Sequence, residues 1–137
     1  MSAGYSGTPL PKKLGIKEGS SVCYVNHPSD FKDLLGELPE GAHVVSDLEG
    51  PLDVIVCFTK QRRVFEQRLP ALRREMATNG GLWIAWPKKS SGVETDMTED
   101  VVRDVALPTG LVDNKVCAID DTWSGLRLVY RVADRGR

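Results

Sequence analysis

The sequence predicts an α/β fold, a three-layer sandwich around a mainly parallel sheet of about six strands that ends in an antiparallel hairpin. Three observations support this prediction. Short apolar runs, typical of strands covered on both faces, alternate with segments whose apolar residues recur every three or four positions, as on amphipathic helices. Turn-forming residues separate these segments. The last two strand-like runs follow one another across a short polar loop, which favours antiparallel pairing.

The first half of the chain supplies a short helix, a strand, a second helix and two further strands. Thr8 and Pro9 are suited to begin the first helix, over about residues 8–15, and Gly15 to end it. The next predicted elements are strand 21–26, helix 28–38, strand 42–47 and strand 52–59. Only residues 48–51 separate the last two strands, so the sequence leaves open whether these pair as a hairpin and what the strand order is around residues 42–59.

The second half continues the alternation. Apolar spacing predicts a helix over about residues 61–78, which Pro70 either kinks or divides, and residues 79–81 (Asn-Gly-Gly) end it. The remaining predicted elements are a strand at 82–86, a helix over 97–107 begun by a capping box of Asp96 and Glu99, and a closing hairpin of residues 112–119 and 126–132.

Composition and charge indicate one globular domain spanning residues 1–137. Hydrophobic residues make up 41% of the chain and charged residues 27%. Lys and Arg number 18 and Asp and Glu 19, a net charge of -1 that argues against general nucleic-acid binding or a polybasic membrane anchor. Residues 1–7 lack the pattern of a signal peptide, and no apolar run is long enough to cross a membrane, which predicts a cytoplasmic protein.

The cysteines and histidines do not form a metal-binding pattern. Cys23, Cys57 and Cys117 lie inside apolar, strand-like runs, where a thiol behaves as a small apolar side chain. Their odd number and the lack of CxxC spacing argue against a disulfide framework or a zinc site. His27 and His43 are not in an HExxH or HxH arrangement. The sequence therefore predicts no metal site.

Three stretches resemble the class I S-adenosylmethionine methyltransferases, which have a Rossmann fold. They are LGIKEGSSVCYV at 14–25, PLDVIVCF at 51–58 and NGGLWIAWP at 79–87. The whole chain, above all GYSGTPLPKKLGI, GGLWIAWPKKSSG and VCAIDDTWSGLR, is also similar to a small uncharacterised bacterial family with a reduced form of that fold. The resemblance covers most of residues 10–132 and implies a methyltransferase-like sheet that ends in an antiparallel hairpin.

The chain departs from the methyltransferase pattern at two places. Methyltransferases follow the first strand with a GxGxG turn, because the backbone must approach the cofactor closely. Here residues 25–30 read Val-Asn-His-Pro-Ser-Asp, without glycine, and Pro28 removes an amide donor. In addition, the 48–51 link is too short for the third strand and helix of the full fold. We therefore expect no cofactor and disfavour S-adenosylmethionine binding.

Parallel sheets bind ligands at the carboxyl ends of their strands, so the loops there hold the candidate site. The candidate ligand-binding residues are Asn26, His27, Asp47, Lys88, Lys89, Ser90 and Trp123. Asp47 follows the second strand, where adenosyl-binding folds place an acid on the ribose hydroxyls, although it also suits a turn. His27, beside Asn26, could act as acid or base, and the alternative is a structural role in capping the next helix or in the loop.

The loop after the fourth predicted strand is a candidate anion site. Lys88, Lys89 and Ser90 offer charge and hydrogen-bond donors, and the alternative is a solvated polar loop. Trp123 could stack on a ligand ring or cover the core. The neighbouring Asp120 and Asp121 suggest acid/base chemistry, but adjacent Asp residues more often form turns.

These features lead to three functional hypotheses. The first is a non-catalytic domain that binds a small molecule, such as a small anion, at the carboxyl ends of the strands. The second is an enzyme, a divergent S-adenosylmethionine-dependent methyltransferase that holds its cofactor without the glycine turn. The third is a protein-interaction module that forms a homodimer. The fold alone does not decide between them.

Overall fold

The computed structural model describes residues 8–135, which form a six-stranded sheet in the order β2-β1-β3-β4-β6-β5. The strands are β1 (Ser21–Val25), β2 (His43–Val45), β3 (Leu52–Phe58), β4 (Met76–Pro87), β5 (Leu111–Ala118) and β6 (Trp123–Tyr130). Neighbours among β1 to β4 run parallel, whereas β6 is antiparallel to both β4 and β5. The predicted fold class, a mainly parallel sheet ending in an antiparallel hairpin, is confirmed.

Helices cover both faces of the sheet. They are α1 (Leu10–Lys13), α2 (Phe31–Leu35), α3 (Arg62–Glu75) and α4 (Glu99–Ala106), with short 3-10 turns at 89–91, 107–109 and 132–134. Residues of α2 and the end of α1 pack in one buried cluster with Phe58 and Trp83, and residues of α3 and α4 pack in another with Ile55 and Ile84. Because successive strand residues point to opposite faces, each inner strand contributes to both clusters.

Strands β2 and β3 do not pair as a hairpin, since β1 lies between them. The short link is sufficient because β2 has only three residues and pairs with Ser21–Cys23, at the start of β1. Residues 46–51 therefore need to run back only the length of this short strand, at about 3.3 Å per residue, to reach the start of β3. Leu48 packs on the α3 side of the sheet on this return.

Glycine packing explains why β4 begins earlier than predicted. The predicted helix 61–78 ends at Glu75, and β4 starts at Met76 instead of residue 82. Leu52 pairs with Met76 and Val54 with Gly81, so residues 77–80 form a bulge opposite a single residue of β3. A Cβ at Gly80 would lie 2.8 Å from the Leu52 carbonyl oxygen, so the strands approach this closely only because residue 80 is glycine.

Two other predicted boundaries were wrong because a side chain binds elsewhere. Asp96 does not cap α4; its carboxylate accepts the Arg62 N–H at 2.7 Å, and Thr98 caps the helix through Val101 N–H. Asp120 accepts the N–H groups of Thr122 and Trp123 at 2.8 and 2.7 Å, which tightens the hairpin turn and places Trp123 at the start of β6.

We expect Glu75→Gln to lower stability at neutral pH but not in acid. The Glu75 carboxylate accepts hydrogen bonds from the Gly50 N–H and from Arg74 Nε, each at 2.9 Å, and both hold the pKa of Glu75 below its ordinary value, Gly50 most strongly. This stabilisation is present above the ordinary glutamate pKa of about 4.3 and is lost as the pH falls through the lower folded-state pKa. Urea unfolding of both proteins at neutral and acidic pH measures it, and a difference of equal size at both would contradict it.

Candidate functional site

The turn after β1 has the backbone conformation that glycine usually provides. Asn26 has φ of 56° and is, among residues 8–135, the only non-glycine residue with positive φ. Asparagine tolerates this left-handed region better than other side chains. Its Nδ2 donates to the Phe58 carbonyl at 3.1 Å, which ties the turn to the end of β3. The lack of a glycine at residues 25–30 therefore does not remove the left-handed turn.

His27 lies in this turn with one ring nitrogen fixed. Its Nδ1 is 2.8 Å from the Pro28 carbonyl oxygen, and because a carbonyl can only accept, Nδ1 carries the hydrogen. In the neutral ring, Nε2 is then the acceptor. The half-buried imidazole contacts Tyr24 and Phe31, with ring centroids 5.8 and 6.2 Å apart, and lines a cavity of about 210 Å³ between α2 and β2.

A row of aromatic rings joins the His27 side of the site to Trp123. Phe31 contacts Phe58 edge to face at 4.8 Å between centroids, and Phe58 contacts Trp123 at 5.0 Å. Trp123 pairs with Pro87 at the end of β4. Asn26, His27 and Trp123 thus lie along the edge where β1 to β4 end, which we call the carboxyl edge.

Asp47 follows β2 at the same edge, with an exposed side chain. Its carbonyl, not its carboxylate, accepts the Cys23 thiol at 3.7 Å and the Glu49 N–H at 2.9 Å. Within residues 8–135, the Asp47 carboxylate forms no hydrogen bond or ion pair. Burial, and then the charge of Asp47, raises the pKa of the Cys23 thiol. The structure shows no direct contact between Asp47 and the other candidate residues, but leaves its carboxylate available to a ligand.

Hydrogen bonds to Thr122 and from Ser91 order the lysine loop, residues 88–92. The Lys88 N–H donates to the Thr122 carbonyl at 2.7 Å, which joins the loop to the hairpin that carries Trp123. Ser91 Oγ donates to the Lys88 carbonyl at 2.6 Å and accepts the Val93 N–H at 3.2 Å. Lys89 and Ser90 are exposed at the tip. These hydrogen bonds therefore hold in place the backbone that carries Lys88, Lys89 and Ser90.

A polar cleft of about 680 Å³ beside the end of β3 was missed from the sequence. Its lining residues are Lys60, Gln61, Arg63, Glu94, Thr95 and Asp96. Thr95 Oγ donates to the Lys60 carbonyl at 2.6 Å, which holds the segment before α4 against the segment before α3. The two segments are about 35 residues apart in the chain, and no local pattern in the sequence indicates that they meet.

The cysteines do not supply a reactive thiolate at this site. Burial raises the pKa of Cys57 to about 11, although the neighbouring Arg68 opposes the shift. Burial likewise raises the pKa of Cys117. In the part of the chain that the structure describes, no three His, Cys, Asp or Glu side chains are grouped to hold a metal ion. Each helix between residues 8 and 135 is too short or too polar to span a lipid bilayer.

Comparison with solved structures shows a methyltransferase-like Rossmann fold. A SAM-dependent methyltransferase from Aquifex aeolicus matches with a TM-score of 0.60 and 16% identity over 85% of each chain. The fibrillarin of Aeropyrum pernix, with natively bound S-adenosyl-L-methionine, matches with a TM-score of 0.55 and 16% identity over 92% of this chain and 70% of its own. A SAM-dependent methyltransferase from Corynebacterium glutamicum gives 0.53 and 13% over 94% and 91%. No protein-family model matches the sequence, and no curated protein matches it significantly.

The expectation of no cofactor is contradicted by these comparisons. Two of the matching structures are SAM-dependent methyltransferases, and the matching fibrillarin has S-adenosyl-L-methionine bound. The expectation rested on the missing glycines, and the left-handed backbone at Asn26 shows why that reasoning was incomplete. At 13–16% identity, the likeness to these structures concerns the fold.

Proposed function

We propose that the chain is a divergent S-adenosylmethionine-dependent methyltransferase whose cofactor binds at the carboxyl edge, across the ends of β1 and β2. The observation that carries this proposal is the left-handed Asn26 at the end of β1, which forms a glycine-like turn in a sheet of methyltransferase order. Two of the matching structures are SAM-dependent methyltransferases, which supports the choice of cofactor and favours the methyltransferase alternative over the non-catalytic domain that we placed first.

The residues at this edge fit an adenosyl ligand. The free, exposed carboxylate of Asp47 suits the donor groups of two ribose hydroxyls. Pro28 contributes no amide donor, so the Asn26 and His27 segment binds through fewer backbone groups than a GxGxG turn. When bound, S-adenosylmethionine supplies an electrophilic methyl group.

His27, which lines the small cavity between α2 and β2, and the separate cleft beside β3 each offer polar groups to a methyl acceptor. Because Nδ1 donates to the Pro28 carbonyl, Nε2 of His27 is the nitrogen that would take a proton from an acceptor O–H or N–H. The cleft lined by Lys60, Arg63 and Glu94 has a volume within the usual range of small-molecule sites, about 300–1,000 Å³. Its mixed charges favour a polar acceptor, and Lys88 and Lys89, which follow β4 at the carboxyl edge, favour one that carries an anionic group.

Calorimetry with S-adenosylmethionine and S-adenosylhomocysteine tests the proposal. We expect both to bind, and Asp47→Asn to weaken binding about fivefold, because the amide keeps one acceptor oxygen but loses the charge. Glu49→Gln is the matched control, since Glu49 is also exposed and lies two residues away. It should leave the affinity unchanged. No heat with either ligand at millimolar concentration would refute the proposal, and equal losses in both variants would remove Asp47 from the site.

A further inference from the structure

A second cleft lies at the opposite edge of the sheet, where β1 and β3 begin. Two motifs that the fold-family resemblance rested on meet there, the Gly15–Ser20 part of LGIKEGS and Asn79 of the Asn-Gly-Gly sequence. The cleft has a volume of about 320 Å³, and its lining residues are Gly15, Lys17, Glu18, Gly19, Ser20, Asp53, Asn79 and Arg127. The proposed methyltransferase site uses none of these residues, so this cleft requires its own explanation.

Arg127 is a half-buried cation without an anionic partner. Its guanidinium lies against Gly81, where a Cβ would overlap it, so glycine at this position makes the space that the side chain occupies. Within residues 8–135, the one hydrogen bond of this guanidinium runs from Nη1 to Asn114 Oδ1 at 3.4 Å, and the guanidinium forms no ion pair. Burial lowers the pKa of Arg127, and the charge of Arg135 lowers it further. A cation in such surroundings is stabilised by a bound anion.

The acids that line the cleft do not neutralise Arg127. Asp53 Oδ2 accepts the N–H and the hydroxyl of Ser21, at 2.9 and 3.1 Å, which commits that carboxylate to the start of β1. Glu18 is exposed, as are Lys17 and Asn79. Gly15 and Gly19, with φ of 81° and 74°, turn the backbone that carries Lys17 along the cleft. Beside the carboxylates of Glu18 and Asp53, the cleft thus combines two cations and one amide donor from three separate parts of the chain.

We propose that this cleft binds a phosphate group, held between Arg127 and Lys17 with the Asn79 amide as a further donor. The guanidinium fork suits a phosphate with two parallel hydrogen bonds, and Lys17 adds a second positive charge for a dianion. The volume, at the lower end of the range for small-molecule sites, suits inorganic phosphate or a small phosphate monoester. The site is independent of the cofactor site, because it lies at the other end of the strands.

Thermal unfolding of the full chain in inorganic phosphate, against chloride at equal ionic strength, tests this site. We expect a saturable rise in Tm for the wild type. Arg127→Gln should weaken the phosphate affinity at least about tenfold, and Lys17→Ala, at an exposed position that does not affect folding, should weaken it several-fold. The double variant Lys88→Ala, Lys89→Ala is the control and should keep the full response.

The outcomes distinguish this site from the carboxyl edge and from a general salt effect. Equal Tm values in phosphate and chloride for the wild type would overturn the proposal. So would a phosphate response that persists in both Arg127→Gln and Lys17→Ala, or one that disappears in the Lys88 and Lys89 double variant. Calorimetry with S-adenosylmethionine on Arg127→Gln should give the wild-type affinity, so failure of one proposal leaves the other standing.

Discussion

Trp83→Ala is expected to lower the free energy of unfolding by about 3–5 kcal/mol, the usual cost of deleting a fully buried aromatic side chain. Trp83 lies in the middle of β4 with no exposed surface. Its Nε1 donates to the Leu14 carbonyl at 2.9 Å, which ties the segment after α1 to the sheet. Gly125 makes room for it, since a Cβ there would lie 3.1 Å from the indole ring. The substitution removes both the packing and the hydrogen bond.

A matched variant separates these two contributions. Trp83→Phe keeps much of the ring volume but leaves the Leu14 carbonyl without its donor, so we expect a smaller loss of about 1–3 kcal/mol. Urea unfolding of the three proteins measures both effects, and an unchanged denaturant slope would show that they act on the folded state. A loss below about 1 kcal/mol for Trp83→Ala would contradict the role given to this side chain.

The sequence predicted those elements whose structure depends on local pattern. The apolar runs at 21–26 and 52–59 correspond to β1 and β3, because strands covered on both faces are almost continuously apolar. The start of β4 was missed because Asn79, Gly80 and Gly81 are typical of a helix end. Gly80 instead allows close contact with β3 and Gly81 makes space for Arg127, and both contacts come from distant parts of the chain.

The candidate site was predicted less completely, for a similar physical reason. The rule that ligands bind at the carboxyl ends of parallel strands predicted Asn26, His27 and Asp47 as candidates, but it predicted none of their contacts. The cleft beside β3 depends on a hydrogen bond between two loops, and the order of the lysine loop depends on one within it from Ser91; neither leaves a periodic signal in the sequence. The cofactor expectation was wrong because it equated a residue type, glycine, with the backbone conformation that glycine commonly adopts.

Within the proposed cofactor site, Asn26→Val has the largest expected effect. It should weaken S-adenosylmethionine binding about tenfold to thirtyfold. A left-handed backbone costs a residue with a Cβ roughly 1–2 kcal/mol, and a β-branched side chain is disfavoured further. Valine therefore favours an extended backbone at this position and reshapes the turn between β1 and α2. Glycine has no such preference, so Asn26→Gly should keep most of the affinity.

The two variants form a matched pair because both lose the hydrogen bond from Asn26 Nδ2 to the Phe58 carbonyl. Any difference between them then reports the backbone conformation and not the lost amide. Asn26 is exposed, so both proteins should fold, and circular dichroism confirms this before calorimetry with S-adenosylmethionine. Equal affinities for the valine and glycine variants would contradict the proposal that the left-handed turn holds the cofactor. If only the valine variant loses binding, asparagine here performs the conformational role that glycine has in the GxGxG turn.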